Sequence, residues 1–193
     1  MTGKGECPEA GHGVQRLSQQ LDEQSYAMHV KGLELPAYLP ETNPGYAFAI
    51  AGGHMSMFTH MQLVREGVTD LDYWVNAITR MGLYQVGHDM LGLCKFIGMG
   101  VDHNLIPKAI QLTTGIELTS QDVVAAVRRA YLRGLALERR QGYGKADYTL
   151  PAQVFTDPNH NVKLPSFVTP EFFDQLTARV WEVFEPEMTG LVS

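Results

Sequence analysis

Apolar side chains along this chain recur mostly at intervals of three or four residues, which is the spacing of one face of an α-helix. Val14, Leu17 and Leu21 predict a helix over about residues 12 to 24. A second helix is predicted after Thr69, which has the features of an N-cap followed by acidic residues in the first turn. The apolar face of this second helix is formed by Leu71, Trp74, Val75, Ile78 and Met81.

Three more helices are predicted in the second half of the chain. A short one begins at Pro107 and ends near Gly115, and the longest lies within residues 118 to 142. Thr169 and Pro170 open the last helix, because proline suits the first helical position. The apolar stripes of the two long helices are Val124, Val127, Tyr131 and Leu135, and then Phe173, Leu176, Val180 and Phe184.

The segments between these helices differ in character. Residues 26 to 45 and 147 to 168 each contain three prolines, which predicts irregular, extended chain. From Tyr46 to about Glu66 the chain is apolar on nearly every side, so a buried helix is expected there in spite of Gly52 and Gly53. No strand pairing or internal repeat is evident, and the predicted fold is all-α: a flexible leader over residues 1–10 and one multihelical domain over residues 11–193.

The amino-acid composition of the chain argues against several classes of function. The chain has 193 residues, of which 45% are hydrophobic and 19% charged, with a formal net charge of -6. An acidic chain of this kind is a poor partner for nucleic acid. It has no apolar run near the ~20 residues that a membrane span requires, and its start lacks the apolar centre of a signal peptide, so a cytoplasmic protein with no membrane partner is expected. Two cysteines, Cys7 and Cys94, do not indicate a disulfide scaffold.

Histidine, aspartate and cysteine residues raise the question of a metal site. The candidates are His54, His60, His88, Asp89, Cys94 and His103. His54 and His60 are six residues apart, so on one helix they would point about 240 degrees apart and could not share an ion. No pair of cysteines has zinc-finger spacing. A nucleophilic Cys94 would need His88 or His54 as its base, and only the fold could bring them together.

Cys94 also has a simpler interpretation, in which it is part of the core together with Leu91, Leu93, Phe96 and Ile97, since free cysteine is often buried. That interpretation does not explain the nearby glycines, which weaken a helix. The glycines of this segment are Gly87, Gly92, Gly98 and Gly100. Glycines spaced in this way favour close approach of the backbone to a bulky ligand.

Four stretches carry a resemblance to a known family. The stretch DMLGLCKF is similar to the Asp-x-x-Gly-Leu-Cys motif in the C-terminal helical region of the tungstopterin-dependent aldehyde:ferredoxin oxidoreductases. In the same order as in that family, SYAMHVKGLELPAY resembles the opening of the region, AFAIAGGHMSMF its histidine-bearing segment, and LERRQGYGKADYTLP its arginine-rich run. The resemblance covers about residues 11 to 151.

The resemblance implies a role for each matching residue. Cys94 would be the fourth thiolate of a [4Fe-4S] cluster, since iron in such clusters is held by cysteine sulfur. Asp89 would bind one pterin by accepting hydrogen bonds from two of its N–H groups. Gly92 would let the backbone approach the pterin ring, and Leu93 would contribute main-chain groups. His54 matches the family's active-site histidine and would donate a hydrogen bond or a proton to the aldehyde oxygen.

Three cofactor-binding parts of the family have no counterpart in these 193 residues. They are the domain that binds the metal dithiolenes, three cysteines of the cluster and a second pterin-binding motif. The resemblance therefore implies tungstopterin or molybdopterin and a [4Fe-4S] cluster only if missing N-terminal domains or a partner subunit are present, with small aldehydes and ferredoxin as substrate and electron acceptor. The chain alone is expected to be catalytically silent. The alternative is a cofactor-free helical module, used for binding or regulation, which would keep Cys94 in a sealed core.

Overall fold

Helices dominate the part of the chain that the computed structural model describes, namely residues 8–35, 44–51, 63, 66–94, 104–156 and 166–191. The α-helices are α1 (Val14–Leu21), α2 (Leu71–Asn76), α3 (Leu83–Met90), α4 (Leu105–Thr114), α5 (Ser120–Arg140), α6 (Gln153–Thr156) and α7 (Pro170–Met188). A π-helical turn, Ala77–Met81, joins α2 to α3, and short 3-10 helices cover Pro8–His12, Gln24–Tyr26, Pro44–Phe48 and Lys145–Asp147. The predicted mostly helical fold is confirmed.

The N-cap of α2 is Asp70, so the prediction of Thr69 was wrong by one residue. The Asp70 carboxylate accepts hydrogen bonds from the backbone N–H groups of Asp72 and Tyr73, at 2.9 and 3.3 Å. Either residue type can cap a helix, and the pattern alone did not distinguish them. At the start of α7 the sequence was right, because Thr169 caps that helix. The structure adds a cap that was not predicted: Thr119 forms a capping box with Asp122 at the start of α5.

The core lies where α3, α5 and α7 pack together, with α2 against α7. The predicted stripe of α7 is buried throughout, and α5 buries Val127, Tyr131 and Leu135. The two predicted stripe members Val124 and Met81 are instead exposed, at 41% and 43%. Val124 lies one turn before the point where α5 becomes covered, and Met81 ends the π-helical turn, whose wider winding changes the direction of its side chain.

Gly87 is explained by helix packing. A Cβ atom at this position would lie 3.1 Å from a methyl group of Val127, so the absence of a side chain lets α3 and α5 approach closely. The interpretation of the glycines as places for a ligand is therefore wrong for Gly87, which is buried between helices. Gly98 and Gly100 lie outside the described residues.

A small β-hairpin corrects the expectation that the chain has no strand pairing. Strands β1 (His29–Val30) and β2 (Leu33–Glu34) are antiparallel and pair His29 with Glu34 and Val30 with Leu33. Its two turn residues have positive φ, 51° at Lys31 and 83° at Gly32. The hairpin is too short for alternation to predict, and its turn directs the Lys31 side chain into the protein interior, where that side chain has 0% exposure.

The other predicted boundaries fit approximately. Helix α1 is shorter than residues 12 to 24, α4 begins two residues before Pro107, and the proline-rich stretch after residue 147 contains the short helix α6. Of the buried helix expected from Tyr46 to Glu66, the described part begins as the 3-10 helix Pro44–Phe48, and residues 52–62 lie outside the described residues. No described helix is long and apolar enough to cross a membrane.

Candidate functional site at the end of helix α3

The stretch from His88 to Leu93 forms a Schellman motif, a standard way to end a helix. The N–H of Leu93 donates to the carbonyl of His88 at 2.8 Å, and the N–H of Gly92 donates to that of Asp89 at 3.2 Å. Gly92 has a φ of 67°, which residues with a Cβ rarely adopt. The spacing Asp-x-x-Gly-Leu therefore has a local structural cause, and it places Asp89 in the last turn of α3 with Cys94 directly after the motif.

All four described residues of the predicted site are exposed. Asp89, Gly92, Leu93 and Cys94 each lie at the surface, and Cys94 is a free thiol. The interpretation of Cys94 as a core residue is therefore wrong, as it is for Leu91 and Leu93, which are 40% and 41% exposed. His88 is the last buried residue of α3, and these exposed residues come after it in the chain.

Apolar side chains surround this turn on the surface. Met90, Leu91 and Leu93 are exposed beside Asp89 and Cys94. Leu91 also borders a cavity of about 70 Å³ between α3, α4 and α5. Its apolar lining is Leu83, Tyr84, Leu91, Ile106, Val123, Val124 and Val127. We use the name α3 face for the surface formed by Met90, Leu91 and Leu93 together with this cavity. Exposed apolar surfaces of this kind often mark interaction sites.

Helix α4 continues this apolar surface. None of its residues is buried, although its sequence is rich in large aliphatic residues. Leu105 is 53% exposed and Leu112 is 77% exposed. The turn that follows α4 adds Ile116, which is 56% exposed. A helix that contacts the rest of the domain on so little of its surface is typical of an element with a partner on its other side.

The remaining candidate ligands are not brought together in the described chain. His54, His60, His103 and Cys7 lie outside the described residues. His88 is buried at 2% exposure, whereas Asp89 and Cys94 face outward. Within the described ranges, no group of three or more histidine, cysteine, aspartate or glutamate side chains is placed to hold a metal ion. Among the described residues, Cys94 can therefore supply one ligand of a shared site.

The residues of this turn have the chemistry needed for one side of a pterin and iron–sulfur site that is shared with another polypeptide segment. An exposed thiol can act as a single thiolate ligand to iron, and the exposed Asp89 carboxylate can accept two parallel hydrogen bonds from N–H groups. A Cβ atom built on Gly92 would meet nothing within 4 Å, so the backbone there is open to close approach. The residues present fit such a group as a partial donor set.

A buried polar cluster was missed by the sequence analysis. The Lys31 Nζ lies 3.0 Å from Oε1 of Glu138, and both side chains are almost fully buried. The Tyr148 hydroxyl donates to the other oxygen of Glu138 at 2.5 Å. One signal was present: Tyr131, Leu135 and Glu138 are spaced as one continuous helix face, so Glu138 lies on the apolar stripe of α5. Its partner could not be found, because Lys31 is 107 residues away.

Comparison with known proteins identifies the family. The family model described as aldehyde ferredoxin oxidoreductase, domains 2 & 3, matches residues 2–192. A search of curated proteins found no match. The match covers nearly the whole chain and includes the α3 end, the hairpin and the long helices α5 and α7. The chain therefore belongs to the aldehyde ferredoxin oxidoreductase family, in the region of its domains 2 and 3.

Proposed function

We propose that this chain forms one side of a pterin-dependent aldehyde oxidoreductase and completes the cofactor site together with further domains or a partner subunit. The proposed reaction converts an aldehyde and water to a carboxylic acid, two protons and two electrons, and ferredoxin accepts the electrons one at a time. When bound, a tungsten or molybdenum pterin would supply the two-electron oxidation, and a [4Fe-4S] cluster would supply the one-electron path. A cytoplasmic location is part of the same proposal.

The observation that carries this proposal is the arrangement at the end of α3. In a chain of this family, Asp89, Gly92, Leu93 and Cys94 occupy one exposed turn, although free cysteine and leucine are residue types that proteins usually bury. A cofactor-free module would gain stability by covering them. Their exposure favours a surface built to meet a cofactor and a second polypeptide segment.

Each residue of the turn has a distinct proposed role. Cys94 offers a thiolate to one iron, and Asp89 orients a pterin by accepting adjacent N–H donors. Gly92 lets the backbone approach the pterin ring. The Leu93 N–H is already donated within the Schellman motif, so its main-chain contact to a ligand would use the carbonyl oxygen. His54 would donate a hydrogen bond or a proton to the aldehyde oxygen.

The α3 face and α4 are the proposed docking surface for the missing domains or partner subunit. Their exposed apolar side chains adjoin the motif turn, so one partner could bury them and close the cofactor site in the same contact. Burial of apolar area contributes roughly 25 cal/mol per Å². Exclusion of water would also strengthen the hydrogen bonds that Asp89 makes to a ligand.

The test is anaerobic purification of this chain from its native cells together with any polypeptide bound to it. Metal analysis and an aldehyde-dependent viologen reduction assay follow. Tungsten or molybdenum together with iron, and viologen reduction with small aldehydes, would support the proposal. A metal-free preparation with no aldehyde activity would overturn it and leave the helical binding or regulatory module as the function. The assay on the isolated chain serves as the control and should give no reduction.

A matched pair of glycine substitutions separates the fold role of Gly92 from its proposed cofactor role. Gly92 and Gly115 both follow helix ends with positive φ, 67° and 75°, and neither has an atom within 4 Å of a built Cβ. Gly92→Ala and Gly115→Ala should each lower the free energy of unfolding by about 1–2 kcal/mol, measured by urea titration, because a Cβ is strained in this conformation. Only Gly92→Ala should also lower the tungsten or molybdenum content of the purified enzyme. Equal metal content in the two variants would contradict the cofactor role.

A further inference from the structure

The segment Tyr46–Ala51 is held by side chains that come from distant parts of the chain. The Tyr131 hydroxyl of α5 donates to the carbonyl of Phe48 at 2.6 Å, and the Lys31 Nζ donates to the carbonyl of Ala49 at 2.7 Å. Oε1 of Glu138 accepts from the N–H of Ala51 at 2.6 Å. Three backbone polar groups within four residues are therefore bound by side chains rather than by neighbouring backbone.

We call the three buried side chains that bind this segment the clamp: Lys31, Tyr131 and Glu138. The Lys31 and Glu138 side chains are 0% and 4% exposed and lie in ion-pair contact. The Lys31 Nζ also lies 4.0 Å from the centre of the Tyr148 ring, and Tyr148 donates its hydroxyl to Glu138. A buried network with this many satisfied groups has one preferred geometry, since any shift leaves a polar atom unpaired.

The ionisation of the clamp follows from its burial. Burial lowers the pKa of the Lys31 ammonium, and the neighbouring Glu138 carboxylate opposes that shift. Burial also raises the pKa of the Tyr131 hydroxyl well above its ordinary value, with a further contribution from Glu138. Tyr131 therefore keeps its proton and remains a donor to Phe48.

Packing against α5 also restrains the segment Tyr46–Ala51. A Cβ atom on Gly134 would lie 3.0 Å from two side-chain carbons of Ile50, so the absence of a side chain at Gly134 leaves the place that Ile50 fills. Ala51 has a φ of 62°, which is unfavourable for a residue with a Cβ. The hydrogen bond from its N–H to Glu138 holds this conformation. Strained backbone of this kind persists only where surrounding contacts determine it.

We propose that Lys31, Tyr131 and Glu138 are positioning residues, whose contacts with Phe48, Ala49 and Ala51 fix the point and direction from which the chain continues to Gly52, Gly53 and His54. His54 is three residues beyond Ala51 in the sequence. Three residues span at most about 11 Å even when fully extended, so the position of Ala51 limits where His54 can lie. The link to His54 rests on the proposed function, whereas the anchoring of residues 48–51 does not.

The experiment compares Tyr131→Phe with Thr177→Val in the enzyme as purified from native cells. Each change removes one buried hydroxyl that donates to a backbone carbonyl and leaves the shape of the side chain nearly intact. The Tyr131 hydroxyl donates to Phe48 within the anchored segment, whereas the Thr177 hydroxyl donates to the carbonyl of Tyr148 at 3.2 Å, outside that segment. Hydrogen exchange by mass spectrometry on a peptide covering residues 46–51 gives the first readout, and kcat and KM for an aldehyde give the second.

Loss of one buried hydrogen bond should raise amide exchange over residues 49–51 about tenfold in Tyr131→Phe and leave it within about twofold in Thr177→Val. Tyr131→Phe should also lower kcat about tenfold with KM unchanged, because misplacement of a catalytic group affects the transition state most. Unchanged exchange in Tyr131→Phe would overturn the anchoring. Raised exchange with unchanged kcat would overturn the link to His54.

The two proposals fail in different ways. If the unsubstituted enzyme shows no aldehyde oxidation, the proposed function falls, and with it the role of the clamp for His54. The exchange experiment still decides the anchoring in that case, because it requires no activity. A structural role alone would lower the thermal stability of both variants and change kcat in neither.

Discussion

Lys31→Met should lower the free energy of unfolding by about 3–5 kcal/mol, because it leaves a buried carboxylate without its cation. The Lys31 side chain has no exposed surface, and that of Glu138 is only 4% exposed. Methionine fills similar space but supplies neither the charge for Glu138 nor the donor for the carbonyl of Ala49. Urea titration followed by circular dichroism measures the change.

An exposed ion pair of comparable length provides the control. Arg179 lies 2.7 Å from Asp72, with side chains that are 46% and 75% exposed. Arg179→Met should change the free energy of unfolding by less than about 1 kcal/mol, since water screens the pair and solvates whichever charge remains. Equal effects of the two substitutions would contradict the assigned importance of burial.

A double substitution tests whether the two buried charges act as a unit. Lys31→Met together with Glu138→Gln removes both charges, so neither is left uncompensated. The loss of stability should then be smaller than the sum of the two single losses, with a coupling of about 0.5–3 kcal/mol. Additive losses would show that Lys31 and Glu138 stabilise the fold independently.

Cys94→Ser should lower the affinity of the assembled enzyme for the proposed [4Fe-4S] cluster by at least about 100-fold, with the proposed aldehyde-dependent viologen reduction falling in parallel. Changes to groups that only orient a metal ligand cost 10–100-fold, so replacement of the ligand itself should cost more. Serine keeps the size of the side chain, but its hydroxyl stays protonated at neutral pH and is a poor ligand where iron takes thiolate sulfur. Iron analysis of the purified enzyme gives the measurement.

Cys7→Ser is the matched control, because it changes the chain's other cysteine in the same way and lies outside the motif. It should leave both iron content and activity unchanged. Because Cys94 is exposed, Cys94→Ser should also change the free energy of unfolding by no more than about 0.5 kcal/mol, so a loss of iron could not be attributed to unfolding. Full iron content in Cys94→Ser would rule out the ligand role.

The family motif and the helix pattern give complementary information about the end of α3. The resemblance placed Asp89, Gly92, Leu93 and Cys94 in one site, and the structure places them in one turn. What the sequence could not give was their exposure, since Leu91, Leu93 and Cys94 have the composition of a core segment. Hydropathy describes what a residue favours, whereas exposure depends on which other elements cover it.

The sequence by itself determined the long helices. The stripes of α5 and α7 and the cap Thr169 follow from neighbours three or four residues apart, and such local spacing is written directly in the chain. It also indicated the mostly helical fold and, through four ordered motifs, the family. The local rules were less decisive at the start of α2, where Thr69 and Asp70 were both acceptable caps.

Only the tertiary structure decided which distant residues meet. Lys31 reaches Glu138 across 107 residues because a two-residue turn of the hairpin directs its side chain inward, toward the buried stripe of α5. Gly87 is required by the approach of α3 to α5, and Gly134 by Ile50. Such contacts depend on how the helices pack, which follows from the combined burial of the whole core rather than from any local pattern.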